Sequence, residues 1–172
     1  TSMPTPLYKD GISYFNQDFE NVNVVSGWSF SIYSPISSSI DPQTFWTIGM
    51  DDDGNHVLIG DAPLNTELFA STGSSEWKDY VFEFRVKVMR LDNQSNSPGF
   101  GADMRSSKDI NNKDISYGYG LGYYNGWFLG RNICKSSGCS WDRLAATSRT
   151  GITMDKWYKV RIELYGPDIK VF

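Results

Sequence analysis

Apolar residues in this chain recur at every second position and almost nowhere at helical spacing. Between residues 80 and 89, Phe82, Phe84, Val86 and Val88 alternate with Glu83, Arg85 and Lys87. Between 157 and 164, Tyr158, Val160, Ile162 and Leu164 alternate with Lys159, Arg161 and Glu163. Trp28, Phe30 and Ile32 repeat the pattern within 28–33. Successive strand residues point to opposite faces, so each segment reads as a half-buried strand with one apolar side. Shorter candidates lie at 45–48, 56–59, 68–71, 99–105, 117–123, 127–132, 142–147 and 169–172. No window of about 11–18 residues carries a 3.6-residue period. Short strands separated by Gly, Asn, Asp and Ser clusters predict an all-β sandwich or barrel.

Turn chemistry supports that reading. Asp53-Gly54 and Asn125-Gly126 each sit between two candidate strands, and both dipeptides are strong hairpin signals. Gly166-Pro167-Asp168 joins the last two strands. The chain has 172 residues and no visible repeat or interdomain linker, which predicts one domain over 1–172. Its net charge is −4 and it has no basic run, so nucleic acid is not an expected partner. No segment reaches the roughly 18–20 apolar residues of a membrane-spanning helix.

Cys134 and Cys139 flank Lys135-Ser136-Ser137-Gly138, a turn sequence. Such a turn can bring two Cβ atoms within bridging distance. The pair is read as a disulfide, and the chain as secreted or cell-surface, with two free thiols as the alternative.

An ordered set of phrases resembles the concanavalin A-like lectin/glucanase superfamily, in its laminin G-like and bacterial glycan-associated branches. The phrases are Asp18-Phe19-Glu20 before Gly27-Trp28, Trp46 followed by Asp52-Asp53-Gly54-Asn55-His56, and Trp77-Lys78-Asp79-Tyr80. They continue with Gly99-Phe100-Gly101-Ala102-Asp103-Met104-Arg105, Tyr117-Gly118-Tyr119 and Trp157-Tyr158-Lys159-Val160-Arg161. The resemblance implies a two-sheet antiparallel jelly-roll sandwich and a non-catalytic role in carbohydrate binding or adhesion. It also implies strands beyond Ile169-Lys170-Val171, so the chain is expected to be a fragment or module of a larger protein. The missing edge strand would then come from another polypeptide. A structural or assembly domain built that way is the second expectation.

Glucanases of that superfamily alternate carboxylates along one strand. Here Glu76, Asp79 and Glu83 mix faces, so a hydrolase or lyase is the least favoured reading. The resemblance also points to early-chain carboxylates as a structural calcium site, for which Asp10, Asp18 and Glu20 are candidates. For the sugar, Asp103 and Arg105 alternate outward from Ala102 and Met104 and can bond hydroxyls. Tyr124 and Trp127 flank the Asn125-Gly126 turn, and Trp141 follows the cysteines. All three are candidate stacking rings. Gly118, Gly120 and Gly122 would leave a bare strip of backbone beside them.

Overall fold

The computed structural model describes residues 15, 17–20, 27–33, 40–63, 66–74, 76–90, 100–108, 116–123, 126–135, 138–147 and 152–172. Apart from one 3-10 turn, the elements they form are antiparallel strands. They belong to two compact units, the first within Lys9–Ser74 and the second within Ser75–Asn93 and Ser97–Phe172.

The first unit holds β1 (Ser29–Tyr33), β2 (Trp46–Met50), β3 (His56–Gly60) and β4 (Glu67–Ser71). β1 pairs with β4, and β2 with β3. The expected hairpin forms between β2 and β3. Gly54 takes φ 83°, and the Asp51 carboxylate accepts the Asp53 and Asn55 backbone N–H groups at 3.0 and 2.8 Å. The strand expected from residue 45 starts one residue later. Asp41 caps the Gln43 N–H and Pro42 sets a helical φ, so Pro42–Phe45 closes as a 3-10 turn first. Aromatic rings fill this unit. Phe30 lies 5.8 Å from Trp46, and Phe15 and Phe19 lie 5.8 and 5.9 Å from Trp28. The Trp46 ring covers its cross-strand partner Gly60, where a Cβ would stand 2.7 Å from it.

The second unit holds β5 (Tyr80–Lys87), β6 (Phe100–Lys108), β7 (Ser116–Tyr123), β8 (Trp127–Lys135), β9 (Gly138–Ala146), β10 (Trp157–Tyr165) and β11 (Asp168–Val171). They make a three-stranded sheet, β11-β10-β5, and a four-stranded sheet, β6-β7-β8-β9. The two sheets share one core. Val160, Ile162 and Leu164 of β10 are buried together with Met104 of β6. Phe82, Phe84 and Val86 pack around them from one sheet, and Ala102, Trp127 and Leu129 from the other. Each fully buried aliphatic side chain here contributes about 1.5–3 kcal/mol before entropy is counted.

The other face of β10 and β5 carries an ionic ladder. The Glu83 carboxylate accepts Lys159 Nζ at 2.7 Å and also pairs with Arg161, whose Nε donates to Glu163 at 2.9 Å. Partial burial alone would raise the Glu83 pKa. The hydrogen bonds from Lys159 and Arg161, reinforced by their charges, hold it below the usual carboxylate value instead. A carboxylate with a depressed folded pKa stabilises the fold above its unfolded pKa, and loses that contribution as pH falls through the folded value. Unfolding stability should therefore decline below about pH 4.5. Glu83→Gln should lower stability at pH 7 and flatten the acid limb. Urea titrations at several pH values check this, and an unchanged acid limb would remove Glu83 as its source.

Candidate functional site

The core decides which residues of the four-stranded sheet face outward. Ala102 and Met104 on β6, and Trp127 and Leu129 on β8, pack inward. Alternation then sends Gly101, Asp103, Phe128 and Gly130 to the opposite face. The register lines them up across the sheet. One row reads Asp103, Gly120, Gly130, Arg143, and the next reads Gly101, Gly122, Phe128, Ala146. In the first row an acid and a base bracket two strands that carry glycine. Three strand spacings of about 4.8 Å separate the backbones of Asp103 and Arg143.

This face is a trough with a glycine floor. Gly101 is exposed, Gly122 half-buried, and Gly118 and Gly130 buried. The Phe128 ring lies across Gly122, where an added Cβ would collide with it. The Arg143 guanidinium stands 5.5 Å from the centre of that ring. At the other end Ser106 leans over Gly118, 2.9 Å from where a Cβ would be. Asp103 and Arg143 are both exposed, and Asn132 stands half-buried on β8 opposite Gly118. The trough therefore gathers a carboxylate, a guanidinium, an amide and an aromatic ring around a glycine strip that is exposed at Gly101 and covered at Gly118, Gly122 and Gly130.

The residues picked out by sequence are distributed unevenly around it. Asp103 stands on the trough. Trp127 does not: its ring packs against the core and meets Phe100 edge-on at 5.6 Å. Phe128, its neighbour, supplies the aromatic surface instead. Trp141 pairs in backbone register with Asn132. Tyr124 lies outside the described residues.

Arg105 is committed elsewhere. β6 loses register between Met104 and Ser107, and Arg105 sits there at φ 49°. This left-handed conformation costs a non-glycine residue about 1–3 kcal/mol. The bulge turns its side chain toward the three-stranded sheet. Nε donates to the Lys78 carbonyl at 2.8 Å and Nη1 to the Gly166 carbonyl at 2.7 Å. Nη2 reaches Asp79 Oδ1 at 3.2 Å, and that same oxygen accepts the Gly166 N–H at 2.8 Å. The Arg105 N–H donates to the Tyr80 hydroxyl at 3.0 Å. Burial pushes the Tyr80 pKa up, more than the Arg105 bond and charge lower it. Arg105 thus bolts β6 to the start of β5 and to the β10–β11 turn.

The acidic set near the start of the chain makes local bonds. Asp10 lies outside the described residues. Asp18 accepts the Glu20 N–H at 3.1 Å, and Glu20 accepts the His56 N–H at 3.3 Å and meets His56 Nδ1 at 2.8 Å. The hydrogen bonds from His56 hold the Glu20 pKa below its usual value. A calcium shell needs about 6–8 oxygen ligands. Among the described residues no three acidic, His or Cys side chains are grouped to hold a metal. Register places Cys134 directly opposite Cys139 across β8 and β9. No protein-family model, curated protein or solved structure matches the chain.

Phe128, Arg143 and Asn132 were not singled out from the sequence. The signal for Phe128 was present: Leu129 on the core side forces Trp127 inward and Phe128 outward. For Arg105, Arg105→Ala removes three side-chain hydrogen bonds and keeps the strained backbone. Unfolding free energy should fall by about 2–4 kcal/mol. Arg105→Gly removes the same bonds but suits the backbone, and should lose about 1 kcal/mol less. Equal losses in urea denaturation would show that φ at this position costs nothing.

Proposed function

We propose that this chain is a non-catalytic carbohydrate-binding module of an extracytoplasmic protein, and that its second unit is a concanavalin A-like jelly roll. The observation that carries the reading is the glycine-floored row of Asp103, Gly120, Gly130 and Arg143, with Phe128 beside it. Two antiparallel sheets sharing one core support the fold assignment. A sugar ring needs an apolar surface for its C–H face and directional partners for its hydroxyls. Phe128 provides the first. Asp103 accepts hydroxyl protons, and Arg143 donates to ring or hydroxyl oxygens with fork geometry. At the exposed Gly101, glycine backbone lets the sugar approach without a side-chain barrier.

The direct test is a glycan array on the purified chain, run with calcium and with a chelator. Selective binding in both is expected. Phe128→Ala and Asp103→Asn should each weaken the best hit about tenfold or more, equivalent to about 1.4 kcal/mol, with the fold intact by circular dichroism. A blank array from folded protein would sink this reading. It would favour the assembly alternative, which rests on β11 lying at a sheet edge with Val171 and Phe172 exposed. An edge strand can accept a strand from another chain.

Extracytoplasmic residence also predicts a Cys134–Cys139 disulfide. Antiparallel partners stand about 4.5–5.5 Å apart at Cα, inside the range a bridge requires. Non-reducing peptide mapping should recover the linked pair. Closing so short a loop stabilises the fold by about 2 kcal/mol in the chain-entropy account, so reduction should lower the melting temperature modestly. Two alkylatable thiols in native protein would refute the pairing.

A further inference from the structure

The outer face of the three-stranded sheet carries a charge pattern that the fold itself does not require. Glu83, Arg85 and Lys87 share that face of β5, and Trp157, Lys159 and Arg161 share it on β10. Register sets Glu83 opposite Arg161, Arg85 opposite Lys159, and Lys87 opposite Trp157. The first pair is complementary. The second sets two cations directly across an antiparallel ladder, which is destabilising. Glu83 relieves only one of them, since it binds Lys159 and is shared with Arg161. Arg85 is exposed, and its side chain forms no hydrogen bond or ion pair with a described residue. Its guanidinium rests 4.7 Å from the centre of the Trp157 ring, and Lys87 Nζ lies 5.5 Å from the same ring.

A guanidinium supported on an indole is held in place with its hydrogen-bonding groups unspent. We propose that Arg85, Lys159 and Trp157 form a binding site for the anionic groups of an acidic polysaccharide. The two cations face each other about 5 Å apart across the ladder, and both side chains are exposed. That geometry suits an extended polymer with regularly placed sulfates or uronate carboxylates. A single-stranded oligonucleotide is the competing extended polyanion, and the test includes it. The site lies on the other sheet from the glycine trough and does not depend on the trough binding sugar.

Calorimetry on the intact chain would use heparin, which carries sulfate and carboxylate, polygalacturonate, which carries carboxylate alone, and neutral dextran. Binding of heparin or polygalacturonate, weakening as salt rises, is expected, with no heat from dextran. Binding of polygalacturonate would assign uronate as a ligand; binding of heparin alone would assign sulfate. Arg85→Gln should weaken binding about fivefold or more and lower the salt slope by about 1, while the charge-matched control Lys78→Gln changes neither. Because Arg85 is exposed, its variant should melt like the parent. The proposal is overturned if neither acidic polymer binds, if Arg85→Gln binds as the parent does, or if a single-stranded oligonucleotide binds more tightly than both polymers.

Discussion

Burial of Ile162 and Leu164 against Met104 is the constraint from which the second unit takes its form. Both β10 side chains are fully buried, and Met104 is 2% exposed. Exposing any of them would forfeit about 1.5–3 kcal/mol. In a strand, orientation is not a local choice. With Met104 and Ala102 inward, Asp103 and Gly101 must point outward. With Leu129 and Trp127 inward, Phe128 and Gly130 follow Asp103 to the other side. A one-residue slip in β8 would bring Phe128 into the core and expel Leu129, so the core also specifies the trough.

Register breaks between β8 and β9 beside Leu129 and Gly130, and in β6 between Met104 and Ser107, where Arg105 sits. The bulge in β6 lets Met104 stay in the core while the next side chain also leaves toward the three-stranded sheet. A regular strand cannot do both. The strain of a positive φ is offset by charge-assisted bonds to two carbonyls and a carboxylate. Beyond the bulge Ser106 returns to the outer face and meets Gly118. The same irregularity thus ties the layers together and closes one end of the trough.

Much of this was legible in the sequence. Each of the eleven strands among the described residues overlaps a segment with alternating or β-rich character, because alternation and Asp-Gly or Asn-Gly turns are local signals. The outward placement of Asp103 was equally readable. Arg105 was not, because its partners Lys78 and Gly166 lie 27 and 61 residues away. Nothing within β6 announces a bulge when the residue at its centre is not glycine. Trp127 was ambiguous for a different reason. A residue beside a turn can pack inward or cap the loop, and the choice depends on whether Phe100 stands across the sheet to receive it.

The two outer faces of the second unit contrast in how they can hold a ligand. The trough has few charges, so a ligand bound there would be selected by shape and by a small number of directional bonds. Its glycines carry no side-chain rotamers to freeze when a ligand arrives, which lowers the cost of ordering. The β5–β10 face is crowded with long charged side chains. Attraction of a polyanion there would be nonspecific in shape, sensitive to salt, and felt before contact. Open faces of either kind bind single sugars weakly. Two of them on the sheets of one unit would let linked ligands raise each other's effective concentration, and avidity would then depend on spacing rather than on either contact alone.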